Sequence, residues 1–199
     1  MKKKQVLLIA TLTGILLALA WPTFGFPPLL FIALVPLLWA ENHISNNKKQ
    51  FSKLSVFYYS FLAFFIFNIL TSYWIVYATF FGLFAPFFNA FLCALVFHIY
   101  HNLKGLLYGN TKGFLILWIS FEFLHHHWEL TWPWMTFGNG FSTMPKLIQW
   151  YEYTGAFGGT LWIWLTNYFL YKTIKELGFS NKTNKLKPIN KKLFTTNLL

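Results

Sequence analysis

The amino-acid sequence predicts an all-α polytopic membrane protein, a bundle of about six transmembrane helices with both termini cytoplasmic. The first observation behind this is that residues Leu54–Leu103 run 50 positions without a charged side chain. Roughly 20 apolar residues, at about 1.5 Å each, cross a hydrocarbon core. The second is the basic set: 16 residues, all lysine, standing at the ends of apolar tracts rather than inside them. The third is composition, 56% hydrophobic and 23% aromatic with 11% charged, which leaves too little polar surface for a soluble domain. The net charge of +11 would suggest nucleic acid if it formed one patch on a soluble fold. Lysines that bracket apolar spans do not, so no nucleic-acid partner is expected. One cysteine, Cys93, excludes a disulfide framework.

The tract Gln5–Ala40 is too long for one pass, and Trp21-Pro22-Thr23-Phe24-Gly25-Phe26-Pro27-Pro28 interrupts it. Proline and glycine at that density stop helices and form a turn, which predicts helices over 5–20 and 28–40. Gly82 and Pro86 divide Leu54–Leu103 into helices over about 54–72 and 86–103. A fifth helix is expected over about 113–127, provided Glu122 is tolerated inside it, and a sixth over about 155–171. Six passes with a cytoplasmic N-terminus put fifteen of the sixteen lysines inside and only Lys146 outside, as the positive-inside rule requires. The start, Lys2–Lys4 followed by an apolar stretch and Ala18-Leu19-Ala20, also resembles a signal peptide; cleavage there leaves the sidedness of the rest unchanged. Residues 1–174 are therefore read as the transmembrane domain. Residues 175–199, rich in Lys and Asn, are read as a disordered cytoplasmic tail drawn to anionic headgroups.

The predicted outer segments are Trp21–Pro28, Ser72–Ala85 and His125–Tyr153. They concentrate aromatic residues, including Trp21, Trp74, Tyr77, Trp132 and Trp134. An interfacial belt accounts for any one ring. It does not account for a 29-residue segment carrying Trp132-Pro133-Trp134 and Gly138-Asn139-Gly140; loops of that length in compact proteins are usually functional. Glu122 is the costliest residue, a carboxylate inside a helix that crosses lipid. It either lines a polar cavity or anchors the outer loop, or else is protonated and hydrogen-bonded within the bundle, with Asn68 and Asn89 as possible partners. His125-His126-His127 looks like a metal tract, but neighbours on a helix point about 100° apart and cannot share one ion. His98 and His101 lie one turn apart and read as a polar helix end rather than metal or haem ligands. Cys93 reads as a small core hydrophobe. No metal and no cofactor are expected.

These strings together resemble the membrane-embedded N-terminal half of bacterial apolipoprotein N-acyltransferase. The residues that carry the resemblance are Leu19-Ala20-Trp21-Pro22, Phe26-Pro27-Pro28 and Tyr73–Phe80. The strongest stretch runs from Trp118 through Glu122, Phe123, Trp128 and Trp132–Gly138 to Gln149 and Gly155. The match covers about 5–171. The family moves an acyl chain from a phospholipid to the α-amine of a lipoprotein's N-terminal cysteine. Its Cys nucleophile, Glu base and Lys lie in a nitrilase-like periplasmic domain. The resemblance implies that no residue here inherits those catalytic roles, Cys93 included. It also implies that the chain is truncated or split and inactive without a separately encoded nitrilase-like domain. What it carries over is a lipid and acceptor path or outer-loop scaffold: Trp21, Trp74, Tyr77, Glu122, Trp132, Pro133, Trp134, Gly138, Gln149 and Gly155. Phospholipid and lipoprotein are then the expected membrane partners, in the bacterial inner membrane. The alternatives are a non-enzymatic lipid-binding or assembly module and an unrelated transporter.

Overall fold

The computed structural model describes residues 1–78, 82, 84–104, 111–129 and 131–180. Among them there is no strand. The helices are α1 (Lys3–Ala20), α2 (Leu30–Ala33), α3 (Val35–Asn46), α4 (Ser55–Ser72), α5 (Phe84–Leu103), α6 (Thr111–His125) and α7 (Tyr151–Ser180). A 3-10 turn, Pro27–Leu29, leads into α2, so the second rod runs from Pro27 to Asn46 with one break, at Leu34. The protein is an all-α membrane protein. Lys3–Ala20, Pro27–Asn46, Ser55–Tyr77 and Phe84–Leu103 are long and apolar enough to span a bilayer, and Gly113–His125 is a shorter apolar helix.

The six rods close into a ring. α1 packs on α4, α4 on α5, α5 on α6, α6 on α7, and α7 returns to α1 through α2 and α3. The centre is filled by fully buried large side chains, among them Leu17, Leu34, Phe64, Phe97, Phe114, Trp118, Ile163 and Trp164. Trp118 meets Trp164 at 4.9 Å and stacks on Phe137 at 5.3 Å with the planes 2° apart. Edge and offset contacts of this kind each add about 0.5–1.5 kcal/mol beyond simple burial.

Helix boundaries depart from expectation at four places. The predicted second helix, 28–40, instead runs on to Asn46 and breaks at Leu34. Pro36 has no N–H and its ring collides with the carbonyl four residues back. Asn167 of α7 repairs the break. Its Oδ1 accepts from Leu34 N–H at 2.8 Å and Val35 N–H at 3.1 Å, and its Nδ2 donates to the Leu30 carbonyl at 2.6 Å. Neighbouring helices are expected to satisfy freed backbone groups in this way where water is absent. The fifth helix ends at His125 rather than 127. The sixth starts at Tyr151 and is kinked at Gly155, whose φ of 64° and ψ of −170° are essentially glycine-only. It then continues to Ser180, six residues into the segment assigned to the tail. The rest of that tail, 181–199, lies outside the described residues, as do Thr79, Phe80 and Phe81 of the second outer segment.

The ring has two unlike ends. One gathers the 3-10 turns Pro27–Leu29, Tyr73–Tyr77, Pro133–Met135, Phe137–Phe141 and Pro145–Leu147. At the other, Glu41 of α3 is buried and bonds both His101 and Lys104, the latter at 2.6 Å. Lys175 there donates to Asn42 at 3.0 Å. His43 contacts the Met1 carbonyl at 3.0 Å, which sets the N-terminus at this end too.

Candidate outer cleft and polar chamber

Glu122 organises the first end. It is 5% exposed, one turn beyond Trp118 on α6. Its Oε1 accepts from the Trp118 indole N–H and from the Phe137 backbone N–H, each at 3.1 Å. The second bond reaches from α6 into the aromatic loop, so the carboxylate holds the turn that begins at Phe137. Gly138, next in line, donates its N–H to Thr160 at 3.0 Å and accepts from the Tyr151 hydroxyl at 2.9 Å. A Cβ at Gly138 would run into the backbone of Ala156, so only glycine lets the loop lie this close to α7. Gly140 lies close against the side chains of Leu30 and Trp21. Asn139 donates to the Pro133 carbonyl at 2.9 Å, closing the loop on itself.

Asn68 and Asn89 are not direct partners of Glu122. They form a separate chain, because both side chains find better-placed acceptors. Asn68 donates to the Phe64 carbonyl at 2.8 Å, Asn89 donates to Asn68 Oδ1 at 2.7 Å, and His125 Nε2 lies 3.1 Å from Asn89 Oδ1. The three adjacent histidines diverge: His125 goes to Asn89, His126 to Thr136 at 2.6 Å, and His127 to the Phe123 carbonyl at 2.7 Å. Among the described residues no group of three His, Cys, Asp or Glu side chains could hold a metal ion.

Two hollows adjoin this polar layer. The inner is a chamber of about 20 Å³ lined by Asn89, Cys93, Trp118, Glu122, His125 and Trp132, with Phe and Met side chains. The outer is a cleft of about 620 Å³, lined by Phe84, Phe87 and Phe88 of α5, by Asn89, His125 and Trp132, and by Glu129 and Thr131 at its polar side. That volume is in the range of small-molecule sites. Trp132 also touches Trp134 at 4.3 Å, and Trp134 touches Trp74 at 5.7 Å. Three rings predicted on two of the outer segments thus form one cluster beside the cleft.

The sequence model of the apolipoprotein N-acyltransferase N-terminal domain matches residues 13–169. The chain belongs to that family. Apolipoprotein N-acyltransferase of Chlorobaculum tepidum is 26% identical over 159 residues, 76% of this chain and 28% of that protein. The one from Geobacter metallireducens is 29% identical over 182 residues, 84% of this chain and 33% of that protein. The chain spans about a third of the length of these curated relatives. No solved structure matches it.

The sequence-predicted positions of this acyltransferase-family domain fall into distinct places. Trp74, Trp132 and Trp134 meet in the cluster, and Glu122 shares the chamber with Trp132. Pro133 opens the 3-10 turn between the two tryptophans, where its missing N–H costs nothing. Gly138 and Gly155 set the backbone path of the loop and of α7. Trp21 lies apart from the cleft, buried edge-on against Phe67 at 5.1 Å. Tyr77 is 85% exposed and, among the described residues, lies outside the tryptophan cluster and both hollows. Gln149 caps its own turn through the Pro145 carbonyl at 3.1 Å. Cys93 is buried in the chamber wall on α5. Sequence reasoning missed Asn167, Thr160 and the Glu41–His101–Lys104 cluster. Asn167 had a readable signal, being a lone amide in an apolar tract opposite a helix that Pro36 must break.

Proposed function

We propose that this chain is the membrane part of an apolipoprotein N-acyltransferase. In this reading it crosses the bacterial cytoplasmic membrane six times and presents phospholipid and lipoprotein to a nitrilase-like domain outside. That domain supplies the chemistry, whether on the same polypeptide or as a separately encoded partner. The observation that carries the reading is the cleft between α5 and the loop after α6. Its wall of Phe84, Phe87, Phe88 and Trp132 suits an acyl chain, and Asn89, His125 and Glu129 offer hydrogen bonds to a headgroup or glycerol ester. Apolar walls with a few placed polar groups are the usual form of a ligand site. The placement of the lysines supports an outward-facing cleft, since among the described residues Lys146 is the one lysine at that end. Acyl transfer through a thioester needs an activated thiol. The chain's single thiol is enclosed in a bundle wall, so Cys93 is left out of the chemistry.

Two measurements test this. Photoreactive phospholipid should label Phe87 and Phe88 in preference to Ile116, which is 68% exposed on α6 and lines neither hollow. Residues 1–199 expressed by themselves in cells depleted of the native enzyme should not restore growth, whereas joining a relative's nitrilase-like domain should. Rescue by residues 1–199 alone overturns the division of labour. Lipid labelling without rescue by the joined domain favours a non-enzymatic lipid-binding or assembly module.

A further inference from the structure

Formal charge is unevenly placed around the outer cleft. Among the described residues its lining holds one acidic side chain, Glu129, and no lysine. The segment Ser72–Ala85, which leads into the α5 wall, carries no charge either. The other polar groups of the lining are not equivalent to Glu129. Asn89 and His125 are buried, and Asn89 bonds both Asn68 and His125 within the bundle. Glu129 and Thr131 are exposed. They share one short segment after α6 with Trp132, so a carboxylate, a hydroxyl and an indole reach the cleft together. Phe84, Phe87 and Phe88 of α5 line the same cleft.

This set discriminates by charge. A carboxylate among aromatic rings suits an ammonium group, the anion through ion pairing and the rings through their negative faces. An anionic headgroup meets the same carboxylate with no lysine in the lining to offset it, and like charges brought together lose affinity. A headgroup with both a phosphodiester and an ammonium is neutral overall. It can turn its cation to Glu129 while an acyl chain takes the phenylalanine wall. The sign of the surrounding end agrees: among its described residues the exposed Glu129 and Glu152 stand against Lys146, in a chain whose net charge is +11.

We infer that Glu129 sets the specificity of the cleft and selects ligands that present an ammonium group. The inference rests on the proposed reading of the cleft as a substrate site. An ammonium there has two sources, a phospholipid headgroup or the free α-amine of the lipoprotein acceptor, and one recognition chemistry serves both.

The intact chain in lipid nanodiscs tests it, labelled with photoreactive phosphatidylethanolamine or with its N-acetyl derivative, which differs at the amine alone. Label at Phe87 and Phe88 is expected to favour the free amine by about fivefold, the size of one exposed ion pair. Glu129→Gln, a change of similar shape at an exposed position, is expected to abolish that preference, and Glu129→Lys to invert it. In a second arm the N-acetyl lipid is the probe, displaced by a lipopeptide with a free or an acetylated α-amine. A Glu129-dependent preference for the free amine in the first arm assigns the headgroup, in the second arm the acceptor, and in both a shared amine site. Label at Phe87 and Phe88 with no preference in either arm overturns the inference and leaves the cleft reading standing. The same holds for a preference that Glu129→Gln leaves unchanged. No label at Phe87 or Phe88 from either lipid overturns the cleft reading, and this inference with it.

Discussion

Asn167 and Glu122 do the same job on neighbouring helices, α7 and α6: each gives a broken or irregular stretch of backbone the partners it lacks. Asn167 stands in for a turn of helix at Leu30, Leu34 and Val35. Asn167→Leu keeps the volume and strands two N–H groups and a carbonyl in an apolar interior, at about 1–3 kcal/mol for each unpaired group. Thermal unfolding in detergent should show a large fall in Tm, and a fall much smaller than that of an ordinary core truncation would contradict the account. Glu122 differs because its bonds run to a loop. Glu122→Gln keeps an acceptor for Trp118 and Phe137 N–H, whereas Glu122→Leu removes it. The expected order of stability is wild type, then Gln, then Leu, with Leu also raising protease cutting between Glu129 and Trp150. Asn167 was legible as an oddity in its tract. The identity of its partners was not, because a contact across 133 residues depends on how α7 returns to α3.

At the scale of elements, the aromatic loop is held by three contacts of different kinds: a carboxylate under Phe137, a glycine against α7, and a tryptophan cluster over α4's exit. Gly138→Ala places a methyl against Ala156 and should lift the loop. We expect loss of Tm together with faster proteolysis of the loop, while the apolar helices stay folded by circular dichroism. Gly155→Ala acts on α7 alone, where the glycine-only backbone angle costs an alanine about 1–3 kcal/mol. The lengths of α1, α4 and α5 were readable because uncharged runs bounded by lysine or proline mark them. The extent of α3 was not, because Glu41 looked like an end. In the fold it is buried between His101 and Lys104, which lets the helix continue beyond it. Breaking such a pair from one side costs about 3–5 kcal/mol. Lys104→Met should therefore destabilise more than the double variant Lys104→Met with Glu41→Gln, and strict additivity in that cycle would contradict a coupled pair.

For the molecule as a whole, the membrane class and the three outer segments could be argued from residue order alone. Nothing in that order disclosed the cleft, since its walls come from α5 and from a loop some 40 residues later. The family match, over residues 13–169, takes in the stretches from Trp21 to Gly155 that build the structured end. The central claim is that this end, with its cleft and chamber, faces the opposite compartment from the Glu41 end. It is tested most directly by single thiols placed in a Cys93→Ser background, one at Lys146 and one at Lys49, probed in spheroplasts with a membrane-impermeant maleimide. The account predicts that the thiol at 146 is labelled at once and the thiol at 49 only after permeabilisation. Labelling of both positions in sealed spheroplasts would contradict it.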